Sequence, residues 1–143
     1  MLKNTDPLLS GELLKHLDEL GHGDALVLAD RNYPAYSAGV PVVRVDAGIV
    51  RAAEAILSVL PLDFAVPPVA KMEAYDDPDH LVPNAVRVLE LARAAEGRDF
   101  ELENIPRFDF YERARSARLV VLTREDEPYN DFVLVKGVIP QGA

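Results

Sequence analysis

The sequence predicts an α/β fold, with a single three-layer α/β/α domain over residues 1–143 and a mixed, largely parallel central sheet. The first observation behind this prediction is that short apolar runs alternate with segments whose apolar residues recur at helical spacing. The second is that 143 residues, of which 49% are hydrophobic, suit one compact domain with a sizeable core. The third is that no internal repeat, low-complexity tract or linker divides the chain.

The first half of the chain is predicted to hold two helices and three strands. Ser10 is a suitable N-cap for a helix whose leucines recur at helical spacing as far as Leu20, and Gly21 follows where a glycine favours helix termination. A second helix from Ile49 to Leu60 is stopped by Pro61. Two prolines in the third apolar run indicate an edge strand or a bulge. The strands are expected at residues 25–29, 42–45 and 64–74.

The second half continues the alternation after a polar, acidic break at residues 76–80. An amphipathic helix is expected at residues 84–95, ending before Gly97, and a further helix at residues 108–117. Because strands alternate with helices, we expect helices on both faces of the sheet. The remaining strands are expected at residues 100–103, 119–122 and 132–135.

Charge and composition exclude several functional classes. The formal net charge of −9 repels phosphate backbones, so nucleic acid is a poor partner, whereas neutral small molecules remain open. The absence of cysteine excludes a disulfide framework and a thiolate metal site, and it fits a reducing compartment. No secretory signal follows Met1, and no apolar run approaches the roughly 18 residues that span a bilayer. We therefore expect a cytoplasmic protein with no membrane partner.

His22 is the first candidate for a catalytic residue because it stands between two glycines in Gly21-His22-Gly23-Asp24. Imidazole has an unperturbed pKa near neutrality, so it can both give and take a proton in one catalytic cycle. The flanking glycines allow a sharp turn and a close approach of a ligand. Asp24 is near enough in sequence to orient the ring. The alternative is a loop histidine whose nitrogens are satisfied by backbone groups.

The candidate ligand-binding residues are polar groups at the ends of predicted elements. Asp30 follows the first predicted strand, where ligands gather in open α/β sheets, and its carboxylate can accept two hydroxyl hydrogen bonds from a polyol. Arg107 precedes a helix, where the dipole disfavours a cation, so we expect it to have a partner such as a ligand oxygen. Tyr129, Asn130 and Asp131 enter the last strand and offer ring, amide and carboxylate groups to a sugar. The alternatives are turn residues and a surface arginine.

Other functional signatures are absent from the sequence. There is no Walker loop, no third glycine of a dinucleotide fingerprint, no Gly-x-Ser-x-Gly elbow and no histidine or cysteine cluster with zinc spacing. The acidic break at residues 76–80 does not match the spacing of a calcium loop. The residues alone therefore predict a small polar ligand and acid–base chemistry, with no metal site and no cofactor motif.

Three blocks of sequence carry a resemblance that covers the chain nearly end to end and is weakest between residues 49 and 104. The blocks are residues 8–24 (LLSGELLKHLDELGHGD), 107–114 (RFDFYERA) and 129–138 (YNDFVLVKGV). Taken together they resemble the L-fucose mutarotase and D-ribose pyranase family. The Phe-Tyr-Glu-Arg-Ala run of the second block resembles the fucose mutarotase branch rather than the ribose branch.

The resemblance implies a function and a set of site residues. Members of this family are isomerases that interconvert the anomers of a free sugar without cofactor or metal. The residue matching His22 is the proton donor, and those matching Asp30, Arg107 and Tyr129 to Asp131 bind the sugar. Members form ring-shaped homo-oligomers, often decamers, with sites near subunit contacts. The expected partner of this chain is therefore a neutral monosaccharide, most simply L-fucose or a related 6-deoxy sugar.

Two positions depart from the family pattern and bear on which sugar is used. The family usually has Tyr-Gly-Asn or Tyr-Ala-Asn where this chain has Tyr129-Asn130-Asp131, so at Asp131 an acceptor-only carboxylate replaces an amide. Bacterial fucose enzymes have a histidine where Tyr36 stands. These departures motivate an alternative function, a non-catalytic monosaccharide-binding or sensing protein with the same pocket. A third possibility is an interaction module in which His22 is purely structural.

Two further expectations concern the geometry of the site. Phe108, Phe110 and Tyr111 could supply an apolar wall for the methyl group of a 6-deoxy sugar. His22 and Asp30 are eight positions apart with a predicted strand between them, a span of at most about 26–29 Å. Either the chain bends back around Gly23, or one of the two residues serves the pocket of a neighbouring subunit.

Overall fold

The structure, a computed structural model, describes residues 1–143 and contains six strands, four α-helices and one 3₁₀ helix. The 3₁₀ helix comprises Ala35–Ala38. The helices are α1 (Gly11–Glu19), α2 (Ile49–Leu57), α3 (Pro83–Glu96) and α4 (Arg107–Ala114), and the strands are β1 (Ala25–Ala29), β2 (Val42–Arg44), β3 (Val69–Met72), β4 (Glu103–Ile105), β5 (Leu119–Leu122) and β6 (Phe132–Val135).

The six strands form one mixed sheet in the order β2-β5-β1-β6-β3-β4. Strand β5 is parallel to β1 and β2, and β3 is parallel to β4. Strand β6 is antiparallel to both of its neighbours, β1 and β3, so five strands share one direction and only β6 opposes them. The predicted α/β class with a mixed, largely parallel sheet is therefore confirmed.

Both faces of the sheet are covered, which gives the three predicted layers. Along β1, Leu26 and Leu28 face a larger core with α1, α2 and α3, whereas Val27 and Ala29 face a smaller core with α4. This alternation follows from the two-residue period of a strand. Phe110 is the largest fully buried side chain of the smaller core.

The helix ends follow local rules that the sequence displays. The Ser10 hydroxyl accepts a hydrogen bond from the Leu13 amide at 3.1 Å, as an N-cap does. Pro83 occupies the first turn of α3, where its missing N–H costs nothing, and Gly97 ends that helix in the left-handed conformation. No helix is long and apolar enough to cross a bilayer.

The third strand differs most from its prediction. It comprises only Val69–Met72 and lies between β6 and β4, so it is not an edge strand. Its residues pair one to one with both neighbours, so it has no bulge. The two prolines precede the strand, where a missing N–H removes no ladder hydrogen bond. The segment before them turns because the Asp63 carboxylate accepts hydrogen bonds from the amides of Phe64 and Ala65. The predicted ends of α2 and α4 lie three residues beyond the observed ones, and β4 lies two to three residues later than predicted.

The sheet separates the candidate residues into two groups. Asp30 follows β1, Arg107 comes directly after β4, and Asp131 precedes the antiparallel β6, so all three lie at the carboxyl end of the sheet. His22 precedes β1 and lies at the opposite, amino end. The Asp63 amide donates to the carbonyl of Val135 at the end of β6, so Asp63 lies at the amino end together with His22.

Candidate functional site

A cavity of about 220 Å³ opens at the carboxyl end of the sheet. Four of the predicted ligand-binding residues line it, and the fifth, Asn130, does not. The position follows the rule that ligand sites of open α/β sheets lie beyond the carboxyl ends of the strands. The lining residues are Asp30, Asn32, Tyr33, Met72, Arg107, Tyr111, Pro128, Tyr129 and Asp131.

Two buried carboxyl groups form the floor of this cavity. Asp30 and Asp131 are 5% and 3% exposed. The Asp30 amide donates to Asp131 Oδ1 at 2.9 Å, and Asp30 Oδ1 accepts from the Asn32 amide at 2.9 Å. Burial, followed by the charge of Asp30, raises the pKa of Asp131 well above its usual range. Two adjacent carboxyl groups therefore share an apolar environment in which ionising both is costly.

Tyr33 lies beside the carboxyl pair and packs edge-on against Phe110, with ring centroids 5.9 Å apart. Burial and the charge of Asp131 raise the pKa of the Tyr33 phenol further above the physiological range. The phenol therefore keeps its proton and can donate a hydrogen bond to a ligand.

Arg107 is held at the rim of the cavity by Tyr111. Its Nε donates to the Tyr111 hydroxyl at 3.0 Å, and its guanidinium carbon lies 5.4 and 5.6 Å from the ring centres of Phe108 and Tyr111. No carboxylate forms an ion pair with Arg107. The remaining guanidinium donors are therefore free for a ligand oxygen, as its unfavourable place at the start of α4 suggested.

The turn before β6 presents Tyr129 to the cavity and turns Asn130 away from it. Tyr129 has a φ of 61°, in the left-handed region, and its ring centre lies 4.7 Å from that of Tyr75. The Asn130 amide nitrogen donates to the carbonyls of Glu127 and Pro128 at 3.1 and 3.0 Å. In the single chain Asn130 therefore stabilises the turn that places its two neighbours.

The predicted apolar wall is only partly present at the cavity. Of the three aromatic residues expected to form it, Tyr111 lines the cavity, Phe110 is fully buried in the core, and Phe108 is exposed outside it. Met72, at the end of β3, supplies apolar surface that the sequence reasoning did not assign. Tyr36 is also exposed and does not line the cavity.

His22 is half-exposed at the amino end of the sheet, and its partner is Asp63. The ring Nε2 lies 3.1 Å from Asp63 Oδ1, and the ring stacks near the exposed Phe64 with centroids 6.3 Å apart. The orienting role predicted for Asp24 is not what the structure shows. The Asp24 carboxylate instead accepts from the Gly21 amide at 2.8 Å, closing the turn that carries the histidine.

Asp63 is a rigid support for the imidazole. Its carboxylate is buried and accepts the amides of Phe64 and Ala65 at 2.8 and 3.1 Å in addition to the His22 contact. The Ala65 hydrogen bond, with smaller contributions from His22 and Phe64, lowers the pKa of Asp63. Asp63 therefore stays ionised near neutrality and favours a proton on the facing imidazole nitrogen.

Replacing Asp63 by asparagine tests this support. Because the pKa of Asp63 is lower in the folded than in the unfolded chain, its ionised form stabilises the fold above the unfolded value of about 4, and this stabilisation is lost as pH falls through the folded pKa. We expect Asp63→Asn to be about 1 kcal/mol less stable than the wild type at pH 7 and the difference to shrink near pH 3. Urea unfolding at both pH values measures it, with exposed Asp18→Asn as control; an equal difference at both would contradict the assignment.

His22 and Asp30 do not meet within one chain. The five residues of β1 extend between them, a distance of about 17 Å. The chain turns at Gly23, with a φ of 85°, but then runs straight to the other end of the sheet. The first of the two expected geometries, a chain that bends back to bring His22 to Asp30, is therefore wrong for the single chain.

Three residues on which these two clusters depend were missed by sequence reasoning, namely Tyr33, Met72 and Asp63. Tyr33 and Met72 carry no local signal, since their place depends on which loops meet at the sheet end. Asp63 is 41 positions from His22, so only the tertiary fold brings it there. No group of three or more His, Cys, Asp or Glu side chains is arranged to hold a metal ion.

Comparisons with known proteins agree with this architecture. The protein Atu2016, provisionally described as a sugar binding protein, is 44% identical, with 98% of this chain and 97% of that chain covered and a TM-score of 0.93. FucU from Bifidobacterium longum is 36% identical over 96% of this chain and 100% of its own, with a TM-score of 0.89. The fucose mutarotase in complex with L-fucose from Streptococcus pneumoniae is 34% identical over 97% and 100%, with a TM-score of 0.86. The RbsD / FucU transport protein family matches residues 3–139, and the chain belongs to this family.

Proposed function

We propose that this protein interconverts the anomers of a free monosaccharide, L-fucose or a related 6-deoxy sugar, by acid–base-assisted opening and reclosure of the ring. The observation that carries the proposal is the cavity at the carboxyl end of the sheet, which joins a carboxyl pair, a phenol and an unpaired guanidinium. The similarity to a fucose mutarotase that binds L-fucose supports the same reaction.

The cavity suits a neutral polyol better than an anion or an apolar ligand. Asp30 and Asp131 offer acceptors, Arg107 and Tyr33 offer donors, and a sugar hydroxyl can satisfy either kind of group. The Tyr129 and Tyr111 rings and Met72 add apolar surface on which a sugar ring face or a methyl group can pack. With these contacts the open-chain aldehyde stays bound while the ring opens.

In the proposed reaction His22 is the acid. A base, for which Asp131, Tyr129 and a bound water are the candidates, takes the proton of the anomeric hydroxyl, and the bond between the anomeric carbon and the ring oxygen breaks. His22 in its protonated form gives that oxygen the proton on Nδ1, the ring nitrogen that does not face Asp63. The aldehyde then rotates, and reclosure on its other face reverses the transfers. Assistance of this kind contributes about 10²–10⁴-fold to the rate. Asp63 holds the imidazole in the orientation that the transfer needs.

We infer that His22 serves the cavity of a neighbouring copy of the chain, because it cannot reach its own. Exposed aromatic side chains flank both ends of the sheet: Phe64 lies beside His22, and Phe108 and Tyr75 lie beside the cavity residues Arg107 and Tyr129. Joining one end to the other is a head-to-tail contact, which closes into a ring when the rotation permits. A ring-shaped homo-oligomer, with the decamer as the expected form, would then complete every site.

The test is nuclear magnetic resonance exchange spectroscopy on the anomers of L-fucose, D-ribose, D-galactose and L-rhamnose. We expect the protein to accelerate anomer exchange and the 6-deoxy sugars to respond best, because the cavity offers apolar surface beside its polar groups. A clear preference for ribose would contradict the proposed substrate class. No acceleration with any sugar of the panel would contradict the reaction.

The second candidate is a sugar-binding protein that does not catalyse exchange. It is favoured by the distance between the cavity and His22 in the single chain, and by the similarity to a protein described as sugar binding. The same spectra separate the two functions. Saturation transfer from protein to sugar without faster anomer exchange would support binding alone.

A further inference from the structure

The carboxyl pair has a feature that the proposed reaction leaves unused. Asp30 and Asp131 are both buried, their carboxyl groups lie within hydrogen-bond reach of each other, and neither belongs to an ion pair. Each carboxyl group accepts one backbone hydrogen bond: Asp30 from the amide of Asn32, and Asp131 from the amide of Asp30. Two amide hydrogen bonds can stabilise one negative charge in such a place, but two like charges in contact repel strongly.

The groups around the pair do not supply the missing positive charge. From α4, Arg107 is bonded to Tyr111 and makes no ion pair with either aspartate. Tyr33, in the loop after β1, is neutral, and Tyr129 packs against Tyr75 with tilted rings. Lys71 on β3 donates its ammonium to Asn104 and forms no ion pair with either aspartate.

We propose that Asp30 and Asp131 hold one proton between them, so that the cavity offers a sugar one carboxyl O–H donor beside one carboxylate acceptor. This inference rests on the proposed sugar-binding function and adds to it the form of the site that binds. The pair then acts on adjacent hydroxyl groups in opposite senses, accepting from one and donating to the other. Above the pH at which the shared proton is lost, the donor disappears and a repulsive second charge replaces it.

The first arm of the test needs no sugar. Aspartate carboxyl carbons are labelled with ¹³C and titrated from about pH 3 to pH 10, well beyond the ordinary value near 4. We expect one carboxyl carbon of the wild type to ionise far above that value. Asp131→Asn should abolish this late ionisation, because it removes the acid and keeps the shape of the pair. Asp30→Asn should move it to lower pH without abolishing it, because the repulsion by a second carboxylate is lost while the burial of Asp131 remains. The control is Asp18→Asn, at an exposed residue outside the cavity, which makes the same change in net charge and should keep the late ionisation.

A stability measurement covers the case in which the carbon signals overlap. A carboxyl whose pKa is raised by folding stabilises the fold at low pH, and this stabilisation is lost as pH rises from the unfolded to the folded pKa. The free energy of unfolding should therefore fall over that interval in the wild type and in Asp18→Asn. It should fall less in Asp131→Asn. The proposal is overturned if the wild type shows no late ionisation, if the late ionisation persists in Asp131→Asn, or if Asp30→Asn leaves its pH unchanged.

The second arm uses L-fucose as the probe. Its affinity for the wild type should weaken about tenfold once the shared proton is lost, the effect expected for one hydrogen bond. The affinity of Asp131→Asn should not weaken there, because an amide keeps its N–H donor at every pH. Equal weakening in both proteins would contradict the role given to the proton. If L-fucose fails to bind the wild type at any pH, the proposed function fails for this sugar, while the carbon titration still decides whether the proton is shared.

Discussion

Replacing His22 by alanine is expected to slow anomer exchange by about 10²–10⁴-fold, the usual contribution of one general acid. The side chain is half-exposed and Asp63 is its only hydrogen-bond partner, so its loss should leave the fold intact. L-fucose binding should weaken far less than the rate, because the cavity of about 220 Å³ is built by other residues. Exchange spectroscopy on L-fucose, with circular dichroism to check folding, measures both. A variant as fast as the wild type would refute the assignment.

A mixing experiment tests where the histidine acts. His22→Ala removes the proposed acid, and Arg107→Ala removes a proposed sugar contact at the other end of the same sheet. If each site joins the His22 end of one chain to the cavity of the next, randomly mixed rings contain about one site in four with both residues intact. The mixture should therefore regain about a quarter of the wild-type rate, although each variant alone is nearly inactive. No recovery in oligomers proven to be mixed would place both residues in one chain's site.

Of the possible glycine-to-alanine replacements, Gly137→Ala is expected to cause the largest loss of stability. A Cβ at this position would lie 2.3 Å from the Leu62 carbonyl oxygen and 2.9 Å from the Asp63 amide nitrogen, which are backbone atoms and cannot rotate away. Overpacking of this kind costs about 1–3 kcal/mol, and a backbone clash belongs at the upper end. For a chain of this size we expect the melting temperature to fall by roughly 2–4 °C for each kcal/mol.

The same substitution should disturb catalysis, because the displaced segment carries Asp63. Gly137 donates its amide to Pro61 at 2.8 Å and so fixes the approach of that segment to the end of β6. The matched control is Gly11→Ala: a Cβ there meets nothing within 4 Å, and alanine favours a helix more than glycine does. The control should be as stable as the wild type or slightly more so. An equally stable Gly137→Ala would mean that the Leu62 backbone is free to move.

The sequence predicted those features that local rules determine. Ser10 caps α1, and the strands at residues 25–29, 119–122 and 132–135 have the predicted bounds. Four of the five predicted ligand-binding residues line one cavity, because strand ends of a parallel sheet meet at one side. The third strand was predicted too long and as an edge or bulged strand, because the sequence alone does not show whether a proline lies before a strand or inside it.

The remaining features depend on contacts between distant parts of the chain. The Asp63 contact with His22 joins residues 41 positions apart, and Asp24, the nearer carboxylate, closes a local turn instead. The pairing of Asp30 with Asp131 spans 101 positions and depends on β6 lying next to β1. Burial of both acids follows from that strand order and has no signature in either local sequence.

The position of β6 also has a consequence for how the chain folds during synthesis. This last strand in chain order is bonded on one side to β1 and on the other to β3, so it joins the β2-β5-β1 and β3-β4 parts of the sheet. Until residues 132–135 leave the ribosome, β1 and β3 each expose an unpaired row of backbone donors and acceptors, which can pair with other nascent chains. Chaperone protection should therefore matter most between the emergence of β1 and β3 and the pairing of β6 with both of them.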